Sequence, residues 1–364
     1  MVLVRAPRTE RSRRGRVAVP PAARAFLVLL ILLPACTATS QAPELPPSAA
    51  PPVSTSAHGA APSSRGSRPI HHVWLFVMEN HAYGQMIGSA EAPYLNGLAS
   101  TYGLATRFFA IAHPSLPNYV AMIAGSTMGC GDDACPPGYA GQTLAGQLDG
   151  RGFSWAGYFE DLPSAGYVGP DAGGYVRHHD PFAYFTEVTG SAADRARLRP
   201  MTDFLPSLAS PPAFSLVVPN QLHNMHDGPV SAGDAWARTD VGAVLASPAF
   251  REGGLVIVTW DESEGADLAG CCAAGVHGGH VATIVAASGG RRGFRSDRPH
   301  DTLSLLRTIE DGWGLQRLGL TACSGVQPML TFGARCTAQA QSMRRYMESA
   351  SVRIVFSSGS SRSK

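Results

Sequence analysis

Short apolar runs alternate with helical patterns along this chain, and the alternation restricts its fold more than any other feature. Ile70 to Val77 (IHHVWLFV), Phe153 to Phe159, Phe214 to Val218, Leu255 to Trp260 and Val281 to Ala286 are rich in β-branched or aromatic residues. Runs of this kind and length read as buried strands. Helical patterns lie between several of them: Ala92 to Tyr102 with Gly103 as a stop, Ala235 to Leu245, and Thr302 to Trp313. The alternation predicts an α/β fold with a central, mainly parallel sheet flanked by helices. Such sheets carry function at the carboxyl ends of their strands. No internal repeat is visible.

Three of the predicted strands run into polar groups. The first ends at Glu79-Asn80, the second leads to Asn220 and then His226-Asp227, and the third ends at Asp261-Glu262. Oxygen-rich sets of this kind suit a hard divalent cation. Taken one at a time, such residues are often helix caps or solvated loop charges. A fenced serine accompanies them. In AHPSLPNYVAMIAG, Pro114 and Pro117 fix the backbone around Ser115. Proline suits the first turn of a helix, so a helix is predicted to start near Pro117. Ser115 then stands at a helix N-terminus, where free amides and the macrodipole favour an anion such as phosphate. A plain N-cap serine is the other reading of the local sequence. Other phosphate and serine chemistries lack support. No serine has the flanking glycines of the α/β-hydrolase elbow. A P-loop is excluded because the single lysine is Lys364, the last residue.

Charge separates the ends of the chain from its middle. The net charge is +2, but residues 1–35 carry seven Arg and one Glu. Their +6 leaves −4 for the remainder, which argues against a nucleic-acid partner. Residues 1–35 read as an export signal, with a basic stretch from Arg5 to Arg16 and the short apolar run Ala25 to Leu33. Leu33-Pro34-Ala35-Cys36 resembles a lipobox, so Cys36 is the expected site of an N-terminal lipid anchor, with simple secretion as the alternative. Residues 36–69 are rich in Pro, Ala and Ser and read as a tether. A catalytic domain is expected over 70–338, followed by a polar tail at 339–364. Six further cysteines allow 15 pairings. Short loops favour Cys130–Cys135 and Cys323–Cys336, and Cys271 and Cys272 stay unassigned.

The stretches VWLFVMEN, HPSLPNYVAMIAG, PNQLHNMHDG with GDAW, and VIVTWDE occur in an order that resembles the bacterial phosphoesterase family. That family groups acid phosphatases with phospholipases C on an alkaline-phosphatase-like fold. Among its members the chain most resembles secreted mycobacterial acid phosphatases acting on phosphatidylinositol 3-phosphate. The resemblance covers roughly residues 70–315 and implies roles residue by residue. Ser115 matches the nucleophile. Glu79, Asn80, Asp261 and Glu262 match ligands of one divalent metal ion, which would be Ca, Mg, Mn or Zn. His226 and Asp227 match residues near the leaving group. His113, Asn118, Arg177, His179, His280 and His300 lie in stretches that contact phosphate. His178 stands where relatives often carry lysine, and His277 competes with His280 for one family histidine. Glu160-Asp161 and Tyr175 also fall in matching stretches.

These features imply an exported, metal-dependent phosphomonoesterase that works through a phosphoserine intermediate. Its expected partner is a phosphorylated small molecule or phospholipid, phosphoinositides included. A phospholipase C-type phosphodiesterase on the same scaffold is the alternative. So is a surface lipoprotein that binds without cleaving, a reading kept open by the divergent stretch Ser263 to Gly279.

Overall fold

The computed structural model describes residues 69–273, 277–323 and 325–329. The signal segment, Cys36, nearly all of the tether, Cys336 and the tail lie outside them. Strand β1, His72–Met78, forms because HVWLFVM is apolar on both faces of a strand. It lies between β5 (Phe214–Val218) and β6 (Gly254–Trp260), parallel to both. A strand covered on both faces needs a continuous apolar run, and all of β6 and β5 is buried.

The sheet extends from β1 in both directions. On one side β5 pairs with β3 (Trp155–Phe159), which pairs with β4 (Leu198–Pro200). On the other, β6 pairs with β7 (His280–Ala287), then comes β2 (Gly103–Phe109), flanked by β8 (Phe294–Ser296) and β9 (His300–Asp301). The order is β4-β3-β5-β1-β6-β7-β2-β8, with β9 also on β2. Among the described strands β7 alone runs against the rest. The carboxyl ends of β1, β2, β3, β5 and β6 therefore share one edge of the sheet.

Helices connect and cover these strands. They are α1 (Tyr83–Met86), α2 (Pro93–Thr101), α3 (Ser115–Ala124), α4 (Leu144–Gly150), α5 (Thr186–Thr189), α6 (Ala192–Arg195), α7 (Phe204–Ser207), α8 (Val230–Ala246), α9 (Pro248–Arg251) and α10 (Thr302–Trp313). The predicted mixed α/β class, mainly parallel and flanked by helices, is what the chain adopts. Helix α10 matches its predicted span, and Asp301 caps it by accepting the Ser304 amide at 2.9 Å. Gly103 does not cap α2 but opens β2. Helix α3 starts at Ser115, two residues before the predicted Pro117. It ends at Gly125, where φ is 68° and an added Cβ would lie 2.1 Å from the Leu318 carbonyl oxygen.

Candidate active site

Met78 and Trp260 are register partners on β1 and β6, so the residues that follow them leave the sheet side by side. Glu79 and Asp261 are fully buried there, and Glu262 is nearly so. The Asp261 amide donates to the Met78 carbonyl at 3.0 Å, which locks the two strand ends together. Asn80 turns away in the left-handed region with φ 44°. One end of its side-chain amide lies 3.0 Å from Glu79 Oε2 and 3.1 Å from Asp261 Oδ1. Without a cation that end must be the NH2 group, which donates to both; the oxygen end would suit a cation shared with the carboxylates.

Ser115 completes the cluster from the start of α3. Its hydroxyl lies 3.2 Å from Glu79 Oε2 and 3.2 Å from Glu262 Oε1. One turn further along α3, the Tyr119 hydroxyl donates to Glu79 Oε1. The Tyr119 ring stacks on His179 with centroids 5.1 Å apart. His179 Nε2 is 3.3 Å from Glu79 Oε1, close enough for attraction but not aligned for a hydrogen bond, so that nitrogen has no bonded partner. His113 Nδ1 meets Glu262 Oε2, and its Nε2 faces the Asp267 carbonyl oxygen at 2.9 Å. A carbonyl only accepts, so Nε2 carries the hydrogen; the Nδ1 contact then needs a proton on the ring or on Glu262.

The electrostatics of this cluster are strained. Burial pushes Glu79 well above the usual carboxylate range, and the charges of Asp261 and Glu262 push it further. Asp261 rises to about 8, through burial and then Glu262. Glu262 rises to about 8, chiefly through burial. Tyr119 is raised by burial and by Glu79. Burial drives His179 well below its ordinary value, helped by His178 and His226. The group is a set of carboxyls with too little compensating positive charge. Asp261 Oδ2 is buried without a hydrogen-bond partner. Such an atom is costly to keep unless something outside the chain meets it.

Comparisons with known proteins bear on what this cluster serves. Residues 89–316 match the Phosphoesterase family. The chain belongs to the Phosphoesterase family. The match begins after Glu79 and Asn80, whose place in the site rests on geometry. The chain is 37% identical over 195 residues to a phosphatidylinositol-3-phosphatase of Mycobacterium tuberculosis, spanning 53% of this chain and 64% of that protein. It is 30% identical over 239 residues to a phosphate-repressible acid phosphatase of Penicillium chrysogenum, spanning 63% of this chain and 56% of that protein. The matches thus span less than two thirds of these relatives' lengths. A crystal structure of an alkaline phosphatase superfamily protein from Vibrio parahaemolyticus shares 14% identity at TM-score 0.49, covering 69% of this chain and 68% of that one.

In this member of the Phosphoesterase family several of the expected phosphate contacts hold partners of their own, while His300 Nε2 and Arg177 Nε are buried without a hydrogen-bond partner. Asn118 Oδ1 accepts from the Ile111 and Ala112 amides at 3.0 and 3.1 Å, and its Nδ2 donates to the Ala112 and Pro114 carbonyls at 2.8 and 3.3 Å. All four of its bonding positions are spent folding the loop that presents Ser115. Arg177 holds its guanidinium over the Tyr184 ring, 5.6 Å from the centroid. His280 is stacked on Tyr83 at 4.5 Å, with Nε2 3.0 Å from the Thr106 carbonyl oxygen. His300 is buried, with Nδ1 3.2 Å from the Gln327 carbonyl oxygen, and burial lowers it to about 4. His226 and Asp227 pair at 2.7 Å on an exposed loop. A charge on His226 acts on His178 and His179, lowering both.

Tyr119 and Asp267 were missed by sequence reasoning. Tyr119 had a usable signal: it follows Ser115 by four residues, one helical turn. Asp267 lies in the divergent stretch and had none. The Cys130–Cys135 disulfide forms as predicted, and Cys271 and Cys272 bond to each other, a pairing left open by the sequence. A cavity of about 540 Å³ lined by Cys271, Cys272, Arg298, Pro299, Gly325 and Gln327 shares no residue with the acidic cluster.

Proposed function

We propose that this protein is a metal-dependent phosphomonoesterase with Ser115 as its nucleophile. The observation that carries the reading is the Ser115 hydroxyl at the head of α3, within 3.2 Å of carboxylates from two different strand ends. Among the described residues, no three His, Cys, Asp or Glu side chains stand as a ready-made metal cage. The residues present nonetheless fit a hard cation. Glu79, Asn80, Asp261 and Glu262 supply oxygen donors, Asp261 Oδ2 has no other partner, and all three carboxyls are pushed toward protonation. When bound there, a divalent cation would keep these carboxyls ionised and withdraw charge from a phosphoryl oxygen.

The chain's own groups do the rest. The start of α3 orients Ser115 toward the incoming phosphorus and offers amide and dipole to its oxygens. Glu79 or Glu262 accepts the hydroxyl proton as the Ser115 oxygen forms its bond to phosphorus and the ester bond breaks. His226, oriented by Asp227, donates its own proton to the departing alcohol and regains one from the water of the next step, as the carboxyl proton goes back to the Ser115 oxygen. Water then cleaves the phosphoserine, releasing phosphate. His113, with both ring nitrogens engaged, orients Glu262. A phosphoinositide headgroup as substrate is supported by the relative named phosphatidylinositol-3-phosphatase. Action outside the cytoplasm is supported by the signal-like N-terminus and by two disulfides.

The test is phosphate release from p-nitrophenyl phosphate with Ca, Mg, Mn or Zn supplied in turn, beside Ser115→Ala. The wild type is expected to turn over, and the variant to lose about a thousandfold or more. Cleavage of bis(p-nitrophenyl) phosphate alone would favour the phospholipase C-type reading. Inactivity on both would favour a binding protein.

A further inference from the structure

We infer that Asp133 is a positioning residue for the nucleophile: held in the disulfide-closed loop, its carboxylate fixes the first turn of α3 through the Leu116 amide. The inference rests on the phosphatase reading and concerns how Ser115 is kept in line.

The first turn of a helix normally leaves four amides without intrahelical partners. Here Pro114 stands at the cap and Pro117 in the first turn, and neither has an N–H. Ser115 and Leu116 are the donors that remain. The Leu116 amide donates to Asp133 Oδ1 at 2.8 Å. That bond spans 17 residues and joins the start of α3 to a loop beyond its end. No side chain caps α3 from its own N-terminal residue, so this carboxylate takes the place of an N-cap.

The loop is built to hold Asp133 still. Cys130 and Cys135 close it, with Cα atoms 5.8 Å apart, and Cys130 is buried. Asp132 Oδ1 accepts the Ala134 amide at 2.9 Å, turning the chain inside the ring. Asp133 also reaches the site electrostatically, since its charge acts on both Glu262 and His178. A carboxylate so close to a phosphate site repels the substrate, which a surface cap elsewhere would not do. Leu116 is the neighbour of Ser115, and both are buried, so a shift of the Leu116 amide carries Ser115 Oγ with it.

The experiment measures kcat and KM for p-nitrophenyl phosphate on the metal-supplied protein, with melting temperature recorded for each variant. Asp133→Ala is expected to lower kcat by about 10-fold at unchanged KM, because misplacement penalises the in-line attack and not ground-state binding. Asp133→Asn keeps the acceptor oxygen and is expected to restore kcat to within about threefold of wild type. The double variant Cys130→Ala/Cys135→Ala should repeat the loss. Adding Asp133→Ala to it should cost nothing further, because both changes break one linkage. Should Asp133→Ala not fold, Asp133→Ser replaces it, being too short to reach Leu116. An Asp133→Ala kcat within about twofold of wild type, a loss confined to KM, an Asp133→Asn as slow as alanine, or additive losses would each overturn the inference. A wild type inactive with every metal would sink the phosphatase reading itself, and this inference with it. An active wild type beside an unaffected Asp133→Ala sinks the inference alone.

Discussion

Two neighbouring stretches of one sheet edge answer the same sequence signal in opposite ways. After β1 and β6 come Glu79, Asn80, Asp261 and Glu262; after β3 and β5 come Glu160, Asp161, Asn220 and His223. In the second group every charge has a partner. Glu160 Oε2 accepts the Asn220 amide at 3.0 Å, His223 Nδ1 lies 2.9 Å from Glu160 Oε1, and Asn220 Nδ2 donates to Asp161 Oδ2 at 2.8 Å. In the first group the carboxyls face each other, and Asp261 Oδ2 has no partner. A satisfied polar network staples strands together. An unsatisfied one is a cost that persists where a ligand or reaction offsets it.

The sharpest way to break that contrast is Glu79→Gln. On the proposed reading, in which Glu79 holds the cation and takes the serine proton, the variant is expected to lower phosphate release by about 100- to 1,000-fold. The same change relieves repulsion within a buried acidic group. In chelator-treated protein it should therefore raise stability, by about 0.5–2 kcal/mol. Thermal melts at neutral pH beside the activity assay check both. Loss of activity together with loss of stability would mean that the acidic cluster is a structural network like its neighbour.

Asp180 asks whether hydrogen bonds alone can satisfy a buried carboxyl. It accepts from the Tyr175 hydroxyl at 3.2 Å and the Ala183 amide at 3.3 Å, yet burial still raises it to about 7. A folded value above the unfolded 3.8 means that the native state holds the proton more tightly. Its stabilising effect is complete below about pH 4 and is lost as pH rises toward about 7. The loss is on the order of 4 kcal/mol at about 1.4 kcal/mol per pKa unit. Asp180→Asn should flatten that part of the stability profile, measured by urea unfolding at several pH values. An unchanged slope would show that Asp180 is ionised throughout.

The sequence revealed the pieces of the site better than their connections. Ser115, Glu79, Asn80, Asp261 and Glu262 can be picked out as candidates because each follows a strand or begins a helix, and strand ends can be recognised from apolar runs. Strand β2 was overlooked because Thr106 and Arg107 interrupt its apolar run where the pairing with β7 shifts register between Ala105 and Phe108. Asn118, His280 and His300 stand in stretches that the family resemblance links to phosphate, and in the fold each also bonds within the chain. A motif fixes neighbourhood along the chain, whereas burial and partner choice decide where a side chain spends its bonds. Asp133 shows the converse. Nothing local marks it, since its contact with Leu116 depends on a helix and a disulfide loop folding against each other.

The smallest expected effect is also the one that best isolates the comparison. Glu160→Gln keeps the shape of the side chain and an oxygen for the Asn220 amide, but removes the charge facing His223. Both partners are partly exposed, so the contact is screened and contributes little. The variant should lose no more than about 1 kcal/mol in urea unfolding and keep phosphate release within about twofold. If the two strand-end groups differ as their bonding indicates, neutralising a carboxyl stabilises the metal-free β1/β6 edge and weakens the β3/β5 edge. The signs of the two stability changes, Glu79→Gln against Glu160→Gln, therefore decide the matter. Equal signs would show that hydrogen-bond saturation is not what separates the acidic cluster from its neighbour.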